Sequence, residues 1–368
     1  MRYYIIAGEA SGDLHGANLL KALFKAEPDA EVRFWGGDLM QQVGGTLVKH
    51  YKDLAFMGFA EVITNLRTIL KNIEFCKKDI KAFNPDVIIF IDYPGFNMRI
   101  AKWAKQQGFD THYYISPQIW AWKEGRIKAI KRDVNQMYVI LPFEKDFYEK
   151  KHQYQVHYVG HPLLDEIEEF KKNQSGNFNE KHQLDDRPII ALLPGSRKQE
   201  ISRLLTEMLR IVNDYSQFQF VIAGAPSLNA AFYQPFIKQE NVKLILNDTY
   251  NLLNNAYAAI VTSGTATLET ALFNVPQVVV YKGNEISYQI AKRIINLKYI
   301  SLVNLIMDEP IVTELIQNEC NTANIKKEFD KVINKNYRGE MFVKYRELSE
   351  KLGGGGASER VVNILRSF

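Results

Sequence analysis

Cysteine is scarce in this sequence, which contains only Cys76 and Cys320 among its 368 residues. The two lie far apart and belong to no metal-binding or redox motif, so the sequence predicts neither a disulfide framework nor a thiolate metal site. This usage is typical of a protein of a reducing compartment, and we expect a cytoplasmic location. No apolar run approaches the roughly 20 residues of a membrane span, so any membrane contact is expected to be peripheral.

A strong charge imbalance and acidic metal motifs are also missing. The 46 Lys and Arg residues nearly balance the 42 Asp and Glu residues, and a net charge of +4 gives no reason to expect a nucleic-acid partner. The sequence contains no D-x-D motif, so it does not indicate a metal-chelated nucleotide diphosphate. We predict neither a metal ion nor a cofactor.

The sequence does contain short apolar runs that alternate with segments of helical period, and this alternation occurs twice. Continuous apolar strands between helices indicate parallel sheets covered on both faces, so we predict the α/β class with two Rossmann-like, doubly wound domains. A polar stretch at residues 168–188 marks the linker. The predicted domains are residues 1–165 and 166–340, followed by a helical segment at 341–368 that crosses back to the first domain. The last strand is expected at "YISLV", residues 299–303.

Ligands of such sheets bind where strands end, so the strand-to-helix junctions are candidate sites. The first junction, "GEASGDLHG", combines small residues at a helix start with the polar side chains of Glu9, Ser11, Asp13 and His15. A helix N-terminus favours an anion. The simpler alternative is a tight turn capped by Ser11 or Asp13.

Two junctions of the second domain predict phosphate binding. In "LLPGSRKQEI", Gly195 and Ser196 offer free backbone donors, and Arg197 adds a forked cation suited to phosphate. In "VTSGTATLETAL", a hydroxyl-rich helix start precedes Glu269, which has the spacing to accept paired hydroxyls such as those of a ribose. Simple helix capping is the alternative at both junctions. The phosphate-facing residues predicted in the second motif are Ser263, Gly264, Thr265 and Thr267.

The stretch "VIIFIDYPGFN" ends a fully apolar strand with Asp92. Pro94 and Gly95 then make a sharp turn that leaves the carboxylate at the strand tip. Burial against the apolar strand end is expected to raise the pKa of Asp92, which would make it a better general base. Alternatively, Asp92 only caps the turn or the helix that follows.

Two stretches suggest contact with an anionic membrane surface. Phe56, Met57 and Phe59 precede a helix with one apolar face, and a second stretch, "IWAWKEGRIKAIKR", combines tryptophan with basic residues. The alternatives are a helix packed on its own sheet and a solvated basic face. The second stretch contributes Trp120, Trp122, Lys123, Arg126 and Lys128 to the predicted membrane surface.

Seven motifs together resemble the lipid-A-disaccharide synthase family: "GEASGD", "MGFAEV", "IDYPGFN", "YYISPQIWAW", "YVGHPLLD", "LLPGSRKQEI" and "TSGTATLET". Each motif is modest, but their order along nearly the whole chain is specific. The resemblance implies a GT-B glycosyltransferase with two domains facing across a cleft. It also implies the reaction: 2,3-diacylglucosamine passes from UDP to 2,3-diacylglucosamine 1-phosphate (a lipid X-type acceptor), forming the β-1,6-linked lipid A disaccharide, at the cytoplasmic face of the inner membrane.

The resemblance also implies roles for individual residues. UDP is expected in the second domain, where Asn304 of "SLVNLI" falls at a UDP-contacting position. Asp92 is the expected base, with Glu9 and Asp13 as alternates. One departure is Gly95, which follows Pro94 where the family usually has an acidic residue. The acceptor is expected to meet the first domain at Ser11, Gly12, His15 and Asn97.

Two other functions fit parts of the same pattern. A UDP-N-acetylglucosamine epimerase or a peptidoglycan-type transferase would share the fold but would need no surface for acyl chains. A non-catalytic sugar-nucleotide-binding protein would keep the phosphate motifs and would not need Asp92. The sequence also leaves open whether the C-terminal helix packs in its own chain or joins an oligomer.

Overall fold

The computed structural model describes residues 1–54, 66–174, 176–294 and 297–367. The chain divides into two compact units, one of residues 1–162 with 355–368 and one of residues 163–354. Each unit is built on one parallel sheet with helices, so the predicted α/β class with two Rossmann-like sheets is confirmed.

The first unit has a seven-stranded sheet in the order β3-β2-β1-β4-β5-β6-β7. Its central strands are buried on both faces: every residue of Tyr3–Ala7 is inaccessible to solvent, as parallel sheets require. The strand order reverses between β1 and β4, and ligand crevices of open α/β sheets form at such a switch point. The strands are β1 (Arg2–Ala7), β2 (Glu31–Gly36), β3 (Thr46–His50), β4 (Val87–Ile91), β5 (Asp110–Tyr114), β6 (Gln136–Val139) and β7 (His157–Tyr158).

Helices cover both faces of this sheet, and each follows a strand. Helix α1 (Ala10–Ala26) begins three residues after the end of β1, and α4 (Pro94–Gln106) begins three residues after the end of β4, so both helix starts lie at the switch point. The helices are α1 (Ala10–Ala26), α2 (Asp38–Val43), α3 (Leu66–Phe83), α4 (Pro94–Gln106), α5 (Ile127–Asp133) and α6 (Pro142–Asp146).

The second unit has a six-stranded sheet in the order β10-β9-β8-β11-β12-β13, with its switch point between β8 and β11. The strands are β8 (Ile189–Leu193), β9 (Gln219–Gly224), β10 (Val242–Leu246), β11 (Ala256–Thr262), β12 (Gln277–Tyr281) and β13 (Thr313–Ile316). The helices are α7 (Leu163–Lys172), α8 (Phe178–His182), α9 (Lys198–Leu209), α10 (Ala230–Tyr233), α11 (Thr249–Asn255), α12 (Thr265–Leu272), α13 (Glu285–Ile294), α14 (Leu302–Met307), α15 (Thr322–Ile333) and α16 (Lys335–Lys351).

The predicted strand at residues 299–303 was wrong. The backbone N–H groups of Ile300 and Ser301 donate to the Glu314 carboxylate at 2.9 Å instead of to a neighbouring strand. The Ser301 hydroxyl then caps α14 by accepting from the Asn304 N–H. The strand at this edge is β13, "TELI", whose polar residues hid it from a search for apolar runs.

The chain returns to the first unit through the glycine-rich turn "GGGG". Gly353, Gly354 and Gly356 have φ values of 84°, 70° and 91°, a left-handed conformation that glycine adopts without strain. The helix that follows, α17 (Ala357–Leu365), packs on α1 and buries Val361, Val362 and Leu365. The structure therefore divides the chain after residue 162 and again after residue 354, whereas the sequence had suggested divisions after 165 and 340.

Candidate active site

Asp92 lies directly after β4, at the switch point of the first unit. Asp92 and Tyr93 both have left-handed backbone conformations, with φ values of 43° and 48°, which is uncommon for residues other than glycine. Hydrogen bonds hold this backbone in place. The Asp92 N–H donates to the Tyr114 carbonyl at 3.1 Å. The Asp92 carbonyl accepts from the Tyr113 hydroxyl at 2.6 Å and from the Asn97 amide at 2.7 Å.

Asn97, on the first turn of α4, is fully buried. Besides the Asp92 carbonyl, its Nδ2 reaches the carbonyls of Ile91 at 3.2 Å and Ile6 at 3.3 Å. One amide group thus joins the ends of β1 and β4, the two strands of the switch point. Because its nitrogen is occupied by the protein's own carbonyls, the geometry assigns Asn97 a positioning role instead of the predicted acceptor contact.

The surroundings of the Asp92 carboxylate raise its pKa to about 6. Burial is the largest cause, and the negative charge of Glu9 adds to it. A hydrogen bond from the Tyr93 backbone and the positive charge of His15 act in the opposite direction. Asp92 therefore changes protonation near neutral pH, where a general base is most effective. Glu9 itself is exposed and His15 is partly buried.

Asp13 already has structural partners. It is 3% exposed, and its carboxylate accepts from the backbone N–H groups of Gly37 at 2.7 Å and of Leu39 and Met40 at 3.1 Å. These amides belong to the start of α2, so Asp13 caps that helix from a distance in sequence. This geometry favours Asp92 and Glu9 over Asp13 as the base.

The remaining residues of the first junction form the start of α1. Ser11 is exposed in its first turn, and Gly12 is buried against Ala7. Gly8 precedes them, and a Cβ atom there would collide with the Tyr93 ring, so this close approach requires glycine. Gly95 faces open space, because a Cβ atom at this position would meet no described atom within 4 Å.

In the second unit, a pocket of about 330 Å³ lies at the carboxyl ends of β8, β9 and β11. It brings both predicted phosphate motifs together, including Glu269. Two glycines shape it: Gly195 and Gly264 have φ values of 115° and 150°, which side chains rarely allow. The lining residues from the two motifs are Leu193, Gly195, Ser196, Glu200, Thr262, Ser263, Gly264, Thr265, Ala266 and Glu269.

Two helices begin at this pocket without a side-chain cap among the described residues. They are α9, whose cap position is Arg197, and α12, whose cap position is Gly264. The first N–H groups of such helices need an acceptor, and a phosphate meets that need with the help of the helix dipole. Arg197 and Ser196 are exposed beside these amides.

The hydroxyl groups of the second motif contribute less than the sequence suggested. The Ser263 hydroxyl donates to the Ile300 carbonyl at 2.8 Å, and the Thr267 hydroxyl, on a buried side chain, donates to the Gly264 carbonyl at 2.8 Å. A phosphate needs donors, and each hydroxyl has only one hydrogen. Thr265 is exposed at the first helical position. The main chain is therefore the principal source of donors here.

Glu269 lines the same pocket and is coupled to a second carboxylate. The Tyr250 hydroxyl lies 3.2 Å from Glu269 and 3.4 Å from Glu166, so it bridges the two. The pKa of Glu269 is raised to about 7, mainly by burial; the Tyr250 hydrogen bond opposes this shift, and the charge of Glu166 adds to it. A carboxylate in this state can accept hydrogen bonds from neutral hydroxyl groups, and its partial protonation near neutral pH weakens its repulsion of a nearby phosphate.

Sequence reasoning missed Glu200, which lines the pocket from the first turn of α9. The Thr262 hydroxyl lies 3.4 Å from its carboxylate, and a Cβ atom at Gly195 would collide with that carboxylate. The signal was present in the motif itself, because Glu three residues after a helix start commonly turns back toward it.

Asn304 is buried, and its side chain braces the protein. Its Nδ2 donates to the Val312 carbonyl at 2.8 Å and to Glu314 at 2.9 Å, and its Oδ1 accepts from the Val312 N–H at 3.0 Å. The UDP contact implied by the family resemblance therefore finds no free amide at Asn304. Asn304 therefore holds Val312 and Glu314 against the start of α14. Glu314 in turn accepts from the backbone N–H of Ile300, whose carbonyl accepts from Ser263.

Comparison with known proteins decides the family. A family model described as lipid-A-disaccharide synthetase matches residues 3–361. The lipid-A-disaccharide synthase of Coxiella burnetii (strain CbuG_Q212) is 38% identical over 372 residues, which cover 99% of this chain and 97% of the relative. That of Syntrophus aciditrophicus is 39% identical and covers 97% and 94%.

The chain belongs to the lipid-A-disaccharide synthase family.

Solved structures show the fold of this lipid-A-disaccharide synthase family member. A UDP-GlcNAc 2-epimerase from Neisseria meningitidis bound to UDP-GlcNAc superposes over both chains in full, with a TM-score of 0.70 and 14% identity. A calicheamicin glycosyltransferase covers 100% of this chain and 97% of its own, with a TM-score of 0.62 and 13% identity. The fold is GT-B, and the family identifies the protein as a glycosyltransferase.

In this family member, the residues predicted to contact a membrane differ in their exposure to solvent. Phe56, Met57 and Phe59 lie outside the described residues. Trp120 is partly buried, and its indole N–H donates to Glu144 at 3.2 Å. Trp122 is 45% exposed.

Basic residues gather around Trp122. The Lys123 Nζ lies 4.1 Å from its ring centroid, and the Arg126 guanidinium lies 5.8 Å away. Lys128 is exposed in the helix that follows. The part of the chain that the structure describes contains no helix that could span a bilayer, and no group of His, Cys, Asp and Glu suited to a metal ion.

Proposed function

We propose that this protein transfers 2,3-diacylglucosamine from UDP to 2,3-diacylglucosamine 1-phosphate with inversion, forming the β-1,6-linked disaccharide and UDP. The single observation that carries the proposal is the Asp92 carboxylate, held at the tip of β4 with a pKa raised to about 6. Family membership supports the same reaction class.

In the proposed mechanism, Asp92 accepts the proton of the acceptor 6-hydroxyl. The freed oxygen attacks C1 of the donor sugar from the face opposite UDP, and the bond between C1 and the diphosphate oxygen breaks. UDP leaves with the electron pair of that bond. The uncapped N-termini of α9 and α12, together with Arg197, stabilise the negative charge that grows on the diphosphate.

Glu269 is proposed to accept hydrogen bonds from the ribose hydroxyls of UDP. It lies in the same pocket as the phosphate-facing amides, and its partly protonated state near neutral pH limits repulsion of the diphosphate. Glu200 is proposed to hold Thr262 and the Gly195 turn in position. No metal ion takes part in these steps as proposed.

The test is a turnover assay with purified protein, UDP-2,3-diacylglucosamine and the 1-phosphate acceptor. Mass spectrometry should detect a tetra-acylated disaccharide monophosphate and UDP in equal amounts. A parallel reaction with UDP-N-acetylglucosamine tests for epimerisation. Epimerised sugar nucleotide without disaccharide would contradict the proposal, and UDP binding without any turnover would favour a binding protein.

We also propose peripheral binding to the anionic cytoplasmic face of the inner membrane, through the exposed Trp122 and the neighbouring cations of the first unit. Liposome flotation should give binding to vesicles with phosphatidylglycerol that weakens with added salt. The variant Trp122→Ser/Lys123→Gln should bind more weakly. Equal recovery of the wild type with neutral and anionic vesicles would contradict the electrostatic part.

A further inference from the structure

A second pocket of the second unit lies at the other end of α12 from the donor pocket, which is the pocket of about 330 Å³ to which the proposed function assigns UDP. Helix α12 connects the two: its first residues line the donor pocket, and its last residues line this one, of about 580 Å³. The other walls come from α7 and α16. The lining residues are Lys171, Ala271, Leu272, Asn274, Phe342, Tyr345, Arg346 and Ser349.

The charge of this pocket has one sign. Lys171 and Arg346 line it, and no acidic residue does. Across the residues that the structure describes, neither cation forms an ion pair; the Lys171 Nζ instead lies 5.3 Å from the Phe273 ring centroid. Glu347, the neighbour of Arg346, is already paired with Lys344 at 3.0 Å. Cations near the last turn of α12 stabilise its dipole, but that effect does not need a pocket.

Two exposed apolar side chains of α16 accompany these cations: Phe342 lines the pocket, whereas Val343, three residues before Arg346, lines a separate pocket that also contains Glu309 and Glu340. Phe342 and Val343 are 37% and 58% exposed, among the most exposed large apolar residues of the described chain. Phe342 lies one helical turn from Arg346 on α16, and the Arg338 guanidinium on its other side is 5.4 Å from its ring centroid. An aromatic ring with a cation one helical turn to each side places apolar surface and positive charge together, a combination that an anionic lipid interface can bind.

We propose that Lys171, Arg346, Phe342 and Val343 form a lipid-docking surface that binds the phosphate headgroup of an anionic phospholipid. The two cations contact the headgroup phosphate, and the two apolar side chains enter the interfacial layer. This surface goes beyond the proposed function, because it lies on the second unit and shares no lining residue with the donor pocket.

A local probe tests the surface separately from the first unit. Both native cysteines are buried, so Val343→Cys introduces a single accessible thiol for the environment-sensitive dye NBD. Vesicles of phosphatidylglycerol and phosphatidylethanolamine should brighten the dye, and spin-labelled lipid should quench it. Phosphatidylcholine vesicles and free glycerol phosphate should do neither. In the Lys171→Gln/Arg346→Gln background, half-maximal brightening should require about 30-fold more lipid.

The matched control is Lys238→Gln/Lys335→Gln, which removes the same charge from exposed positions of the second unit outside the pocket. It should shift the titration by less than about threefold. Equal shifts in the two double variants would overturn the proposal, as would brightening that follows protein concentration without lipid, which would indicate self-association. Turnover of detergent-dispersed substrates by Lys171→Gln/Arg346→Gln should equal that of wild type, so loss of this surface is distinguishable from loss of the proposed activity.

Discussion

At the scale of single residues, Asp92 combines two unfavourable features, a left-handed backbone and a carboxylate whose pKa is raised to about 6 by burial. Strain and desolvation of this kind are retained where function needs them. Asp92→Asn should therefore fold, bind UDP as wild type does and lose roughly 10²–10⁴ in rate, because an amide cannot accept the proton. A folded variant within a few-fold of the wild-type rate would move the role of base to Glu9.

Asp92→Asn should lower the rate without lowering the stability of the fold, and the pH dependence of stability tests this expectation. The pKa of Asp92 is higher in the folded state than in the unfolded state, so its charge destabilises the fold above about pH 6 and has no effect below about pH 4. Asp92→Asn removes that charge, and Asn also tolerates the left-handed conformation. Thermal unfolding at pH 8 should show the variant at least as stable as wild type, and the difference should close as the pH falls from 6 to 4.

Asn97 should control the geometry of Asp92 without touching substrate. Asn97→Ala removes the donor of the buried Ile6 and Ile91 carbonyls and one of the two donors of the Asp92 carbonyl, which costs about 1–3 kcal/mol of stability. The released Asp92 should become better solvated, so the acidic limb of the rate profile should move below pH 6 while the maximal rate falls. Tyr113→Phe removes another bond to the same carbonyl and should act in the same direction. Unchanged limbs in both variants would limit these residues to a structural role.

At the scale of secondary structure, the donor pocket relies on the main chain of α12 more than on hydroxyl groups. Thr265→Pro tests this directly. Proline is tolerated at the first helical position but removes its N–H. Loss of one charge-assisted hydrogen bond should weaken UDP binding roughly 10- to 100-fold by calorimetry. The matched Thr265→Ala, which removes only the hydroxyl, should bind UDP within about threefold of wild type. If Thr265→Ala bound UDP more weakly than Thr265→Pro, the hydroxyl group and not the backbone N–H would be the important donor.

The elements also explain which features the sequence could predict. Apolar strands such as Val87–Ile91 predicted both sheets, because a parallel strand buried on both faces leaves an unmistakable composition. The polar strand Thr313–Ile316 was missed for the same reason. Motifs located Asp92 and the Gly195 turn. They could not predict that the side-chain amides of Asn97 and Asn304 donate to backbone carbonyls of the protein itself, because these hydrogen bonds join residues that meet only in the folded chain.

At the scale of the whole molecule, α17 completes the core of the first unit. Val361, Val362 and Leu365 are buried there, and each such side chain contributes about 1.5–3 kcal/mol. Deletion of residues 357–368 should therefore remove a large part of a typical domain stability of about 5–15 kcal/mol. Hydrogen exchange should show lost protection in the first unit and retained protection in the second. Asn363→Ala, on an exposed position of the same helix, should leave both unchanged.

The contact between Arg360 and the Val159 carbonyl, at 2.6 Å, joins residues that are 201 positions apart. A ribosome adding about 5–20 residues per second makes the second partner roughly 10–40 s after the first. During that interval the entire second unit is synthesised and can fold, while the apolar face of the first unit that α17 later covers stays exposed. In the cell, this order would make the emerging first unit a client of chaperones, and folding of the second unit would bring α17 close to its place by closing the intervening loop.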